Sequence, residues 1–132
     1  MKCGTILYIS QALLIDGLMP LCVETLTHLR KIMARNPNTD MVGQPFNDAT
    51  VEAVWEKGTR EPAYSTFRSD VCGAFLQLSK YGKTEKWGWE IDHVKPVLAG
   101  GTDDLSNLQP LQWENNRHKG DNYPRWECKV KS

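Results

Sequence analysis

The chain has 132 residues, enough for one domain with a modest core. With 40% hydrophobic and 24% charged residues it has the make-up of a soluble globular protein. Lys plus Arg balances Asp plus Glu, 16 against 16. That balance excludes a chain that is basic throughout, so any nucleic-acid contact has to come from a local patch.

The N-terminal stretch GTILYISQALLIDGLMPLCV is apolar over about twenty residues, but Asp16 interrupts it. A carboxylate at the centre of a bilayer costs about 2.5–3.5 kcal/mol, which disfavours a membrane span. The stretch also lacks the clean apolar run and small-residue cleavage site of a signal peptide. It reads as one or two helices packed on the rest, with Leu26, Leu29, Ile32 and Met33 near helical spacing. A signal or anchor segment, and a later start at Met33 or Met41, are the alternatives. His28 has no partner at ligand spacing and reads as structural. RNPNTDMVGQP is rich in Asn, Pro and Gly and reads as a linker. It separates an N-terminal segment, residues 1–40, from a main domain, residues 46–128.

NDATVEAVWEKG then predicts a short helix, capped by Asn47 or Asp48, with Val51, Val54 and Trp55 on its apolar face and Gly58 to stop it. TREPAYSTFRSD is loop-like. VCGAFLQLSKYGKTEKWGWEIDHV predicts short strands broken at Tyr81-Gly82 and Trp87-Gly88. KPVLAGGTDDLS is a wide loop, NLQPL a brief strand, and QWENNRHK a helix ending at Gly120. Strand, long loop, strand and helix make a ββα unit in an α+β domain. Of the four cysteines, Cys3, Cys22, Cys72 and Cys128, none stands at CxxC spacing, which disfavours a zinc knuckle. They read as reduced, buried thiols, with a Cys72–Cys128 disulfide as the alternative.

The ββα unit carries the chemistry. Asp92 and His93 close its first strand, Asn107 opens the second, and Asn116 lies in the helix. A hairpin folded on a helix can bring these together around one cation. A carboxylate oxygen from Asp92 and an amide oxygen from Asn116 suit a hard divalent ion and leave most of its shell to water and phosphate. An imidazole, with an ordinary pKa of about 6.5, can take a proton from water at neutral pH, which suits His93. Asn107 can tie the wide loop shut through backbone bonds. Lys119 lies on the same helix face as Asn116 and is expected to reach a phosphate. His118 reads as a surface or phosphate-contact residue. With Arg117 and Arg125 these form a basic stretch able to follow a DNA backbone without reading its sequence.

GWEIDHVKPVLAGGTDDLSNLQPLQWENNRHKGD resembles the HNH endonucleases, the ββα-metal nucleases. VEAVWEKG, RSDVCGA and YGKTEKWGW upstream and KGDNYPRWEC downstream fit the same resemblance, which spans roughly Phe46 to Cys128. It implies a small ββα-metal domain with a preceding helix and short strands. It implies a metal-dependent endonuclease that hydrolyses DNA phosphodiester bonds. His93 would be the general base, Asn107 the loop-positioning residue, and Asp92 and Asn116 the ligands of one divalent metal, Mg²⁺ or Mn²⁺. Many members also carry a structural zinc between two CxxC knuckles. Here those positions are Cys72 and Phe75, then Gln112 and Asn115, so no structural zinc is expected. Buried tryptophans (Trp55, Trp87, Trp89, Trp113 and Trp126) are the expected replacement for its binding energy. A non-cleaving ββα module that holds nucleic acid is the competing function. The expected setting is soluble and cytoplasmic, with DNA as partner and no small-molecule cofactor; secretion is the less favoured setting.

Overall fold

The structure, a computed structural model, describes residues 35–132. Cys3, Cys22, His28 and the expected N-terminal helices lie outside the described residues. The chain divides at Arg35, and Asn36–Ser132 forms a unit of its own. Among the described residues it holds two α-helices and two antiparallel sheets, an α+β domain. None of the described helices is long and apolar enough to cross a membrane.

The central element is a hairpin of β4 (Trp89–His93) and β5 (Leu108–Gln112), followed directly by helix α2 (Trp113–Lys119). Its register pairs Trp89 with Gln112, Ile91 with Pro110 and His93 with Leu108. The ladder continues beyond both ends, from Val94 N–H to Asn107 C=O and from Trp113 N–H to Gly88 C=O. Hydrogen-bonded and non-bonded pairs alternate along an antiparallel ladder, so Ile91 and Pro110 form a pair that exchanges no bonds. Proline is tolerated there because no N–H is needed. The outward N–H of Ile91 instead donates to Asn38 Oδ1 at 2.8 Å.

Strand alternation sorts the side chains onto two faces. Trp89, Ile91, His93 and Leu108 share one face. Trp89, Ile91 and Leu108 pack there with Val54, Trp55 and Leu76 as the core. By area, burying an indole such as Trp89 contributes about 4–6 kcal/mol before conformational entropy is set against it. Glu90 and Asp92 point to the other face, under α2.

Helix α1 (Asp48–Trp55) supplies the other wall of the core. Asn47 caps it, its side chain accepting from Thr50 N–H, as its polar type at that position leads one to expect. Arg68 satisfies the far end, donating to Glu56 C=O and Gly58 C=O, with its guanidinium over the Trp55 ring. The stretch read as a loop, residues 59–70, contains two short strands, β1 (Thr59–Arg60) and β2 (Phe67–Ser69). They form a small sheet with β3 (Phe75–Gln77). Strands of two or three residues carry too little alternation to be seen in a sequence.

The expected linker is not free. Thr39 and Pro45 bridge each other, and Asn38, with φ of 62°, reaches β4. Met41 N–H binds Asp103, and the Phe46 ring lies 5.9 Å from His93. Its Asn, Gly and Pro residues shape a turn that packs on the hairpin.

Candidate active site

At the end of β4 the two adjacent residues separate. Asp92 faces α2 and His93 faces the α1 side, because neighbours in a strand point to opposite faces. Asp92 is 5% exposed and accepts from two groups: Gln109 Nε2 at 2.9 Å, from its partner position on β5, and Lys119 Nζ at 3.0 Å. Burial pushes the Asp92 carboxyl above the ordinary carboxylate range, while the bonds from Gln109 and Lys119 pull it back. Lys119 also donates to the backbone carbonyl of His93 at 3.0 Å, joining the two residues that the strand turns apart.

Lys119 is therefore not the phosphate contact expected of it. It is 1% exposed, with its ammonium committed to Asp92 and His93. Its place in the last turn of a short helix lying on the strand explains the difference: i, i+3 spacing from Asn116 puts it on the buried face. Asn116 also departs from the expected convergence on Asp92. Its amide nitrogen donates to Glu90 Oε1 at 2.7 Å, one same-face position back along β4. Arg117 binds Glu90 as well, through Nε at 3.2 Å and through an end nitrogen at 2.6 Å. That bond holds its guanidinium still more firmly protonated. Arg117 keeps 47% of its side chain exposed, but its charge answers Glu90 rather than standing open for a backbone phosphate. His118 and Arg125 are exposed.

On the other face, His93 Nε2 lies 2.8 Å from Asp103 Oδ1. The wide loop between the strands, residues 94–107, is closed by Asn107. Its Oδ1 accepts from Lys95 N–H at 2.9 Å, and its Nδ2 donates to Lys95 C=O and Thr102 C=O at 3.0 and 2.9 Å. Gly101 lets the loop pass this closely: a Cβ there would sit 1.7 Å from Lys95 O.

Where zinc knuckles would stand, a polar hub stands instead. Asp70 is buried and its carboxylate accepts four bonds, from Cys72 N–H, Ala74 N–H, Gln112 N–H and Asn115 Nδ2. Gln112 caps α2, accepting from Glu114 N–H and Asn115 N–H. Asn115 clasps the C-terminal tail through Lys129 N–H, Val130 N–H and Val130 C=O. Cys72 and Cys128 form a disulfide, which corrects the expectation of reduced thiols at this pair. The replacement for a metal is thus a carboxylate, two amides and a covalent bond, not the tryptophans. Trp55 and Trp89 serve the core elsewhere, and Trp87, Trp113 and Trp126 are only partly buried.

Residues 71–122 match the model of the HNH endonuclease family. This segment is similar to the HNH endonucleases. No curated protein and no solved structure matches the chain. HNH proteins are nucleases that generally use a divalent metal, and the HNH segment spans β3, the hairpin and α2.

Asp92 and Asn116 carry oxygens of the kind such an ion takes, with Asn116 bonded to Glu90 rather than turned to Asp92. A carboxylate has about four lone-pair positions, and Asp92 fills two with its bonds to Gln109 and Lys119. Asn116 commits its amide nitrogen to Glu90, and its amide oxygen remains an acceptor. The set does not suit a cage of protein ligands: among the described residues no group of three or more His, Cys, Asp or Glu is placed to hold a metal. The matched segment was legible in sequence, but Glu90, Gln109 and Asp103 within it, and Asp70 just before it, were not assigned. Glu90 could have been found, since in WEIDH it stands two before Asp92 and so shares its face. Gln109 follows from the same alternation across the hairpin. Asp103 and Asp70 have no local signal beyond being acids in turns.

Proposed function

We propose that the domain hydrolyses DNA phosphodiester bonds with one divalent cation, Mg²⁺ or Mn²⁺, and with His93 as general base. The observation that carries this reading is the closed loop at the end of β4. Asn107 fixes it with three side-chain bonds, and the His93 ring is held against it by Asp103, inside the segment that matches HNH. Asp92 and Asn116 would hold the cation, which supplies shielding of the phosphate charge and stabilisation of the leaving oxygen. His93 takes a proton from water; the water oxygen bonds to phosphorus, and one P–O ester bond breaks. Glu90 acts behind Asn116, fixing its amide, and Arg117 neutralises Glu90. Exposed Arg125 and His118 would follow the DNA backbone.

Plasmid nicking by the full chain with Mg²⁺ or Mn²⁺ tests the proposal. EDTA should abolish cutting, and His93→Ala should lower it by about 10²–10⁴-fold. Full activity in His93→Ala would count decisively against it. One observation favours the second reading, a non-cleaving nucleic-acid-binding module: Lys119 already neutralises Asp92 without a metal. Such a module would bind DNA with no divalent-ion requirement and release no product. The soluble intracellular setting belongs to the proposal, and the Cys72–Cys128 pair supplies its test. Maleimide trapping in the producing cells labels both cysteines in a reducing cytoplasm and neither in an oxidising compartment.

A further inference from the structure

We infer that Asp103 is a positioning residue for His93, holding its imidazole in one tautomer and one orientation. The inference rests on the reading of His93 as general base. A carboxylate can only accept hydrogen bonds, so the 2.8 Å contact to Asp103 Oδ1 places the hydrogen on His93 Nε2. The lone pair then belongs to Nδ1, which has no hydrogen-bond partner among the described residues and is the atom left to receive a proton from water. With the other tautomer the ring would present a donor to that water and could not act as base.

Asp103 is itself held from three directions. The residue before it is fixed by Asn107 Nδ2 on Thr102 C=O at 2.9 Å. The residue after it is fixed by Asn107 N–H on Asp104 C=O at 2.7 Å. Both of its carboxylate oxygens accept from Met41 N–H, at 3.1 Å each, across a sequence separation of 62. Phe46 lies against the imidazole from the same N-terminal turn. A merely incidental surface pair would not have its carboxylate braced by Met41 and its backbone neighbours held by Asn107, opposite an imidazole that is over nine-tenths buried. Asn107 thus acts on the base twice over, closing the loop and presenting the acid that orients the ring.

The test uses the full chain. Asp103→Asn, which preserves shape but can offer the ring either a donor or an acceptor, should lower kcat for nicking by about 10²-fold or more. It cannot exceed the loss in His93→Ala, because it acts through that residue. KM should stay within about twofold. In a His93→Ala background, Asp103→Asn should change the residual rate by less than about twofold, the non-additivity of a pair acting as a unit. A second readout needs neither metal nor activity: ring ¹⁵N spectra at pH 8 should show a single Nε2–H tautomer for His93 in the wild type and in Asp103→Glu, and a mixture in Asp103→Asn. A kcat for Asp103→Asn within twofold of wild type, alongside an inactive His93→Ala, overturns the positioning role and leaves the nuclease reading intact. An unchanged tautomer in Asp103→Asn overturns it too. Full activity in His93→Ala overturns both.

Discussion

Reducing the Cys72–Cys128 bond should cost the domain much of its stability and free its C-terminal tail. The bond spans a sequence separation of 56. Closing a loop of about that length removes roughly 14 cal/mol/K from the unfolded chain, or about 4 kcal/mol at 25 °C. That is a large share of the 5–15 kcal/mol of an ordinary domain. With an m-value near 1.5 kcal/mol/M, the urea midpoint should fall by about 2–3 M. The three bonds from Asn115 to Lys129 and Val130 remain after reduction, but they are then the tail's tether to α2 without its covalent anchor. Urea unfolding of the oxidised chain, the reduced chain and the Cys72→Ser/Cys128→Ser variant measures the first effect. Hydrogen exchange at the Lys129 and Val130 amides measures the second. A midpoint shift below about 0.5 M, with both amides still protected, would refute the reasoning. It would show that the Asp70 hub holds the tail and the fold by itself.

Lys119→Met should destabilise the domain by about 3–5 kcal/mol in the same assay, because it leaves the buried Asp92 carboxylate without its counter-charge. Adding Asp92→Asn should recover a large part of the loss; equal destabilisation of the single and double variants would contradict the pairing. Tyr81 should titrate late: burial, helped by the charge of Glu90, pushes its hydroxyl from the ordinary tyrosine value of about 10 up to about 12. Below pH 10 it is neutral folded or unfolded; between 10 and 12 the unfolded chain loses the proton first, so the stability it contributes is full below 10 and lost as pH rises through 12. Subtracting the 295 nm absorbance titration of Tyr81→Phe from that of the wild type should isolate one inflection near 12, and an inflection near 10 would contradict the burial.

What a sequence shows best is what its near neighbours decide. The α1 cap at Asn47, the strand WEIDH, and the α2 helix closed by Gly120 all depend on residues within a few positions of one another, and each was readable. Asn107 was readable as a loop-closing amide for a similar reason, since its bonds reach only 5 and 12 residues away. Strand alternation also held the clue that Asp92 and His93 face apart, yet their adjacency in the chain suggested a shared target. Asn116 was expected to meet Asp92 and is found on Glu90, two residues back on the same face, a difference of position along the strand that alternation does not decide.

The parts that were not readable are those whose partners are distant or whose residue type is ambiguous. Asp70 gathers donors from 2, 4, 42 and 45 residues away, and an acid in a turn gives no hint of the last two. Once they are seen together, a fold that holds these turns without CxxC pairs makes physical sense. A tetrahedral zinc ties two turns and a helix start by four strong bonds. Here Asp70 ties the same turn to the same helix start with four accepted N–H bonds, each worth about 1–3 kcal/mol when a buried charge is involved. The disulfide extends the tie to the tail. The segment bearing Asn38 and Met41 completes the picture from the other side, by saturating the outer N–H of Ile91 and bracing Asp103. The hairpin is thus clamped on both faces by residues outside the ββα motif. Grafting residues 89–120 alone should therefore give neither a stable hairpin nor an oriented His93, because both depend on bonds that begin at Asn38 and Asp70.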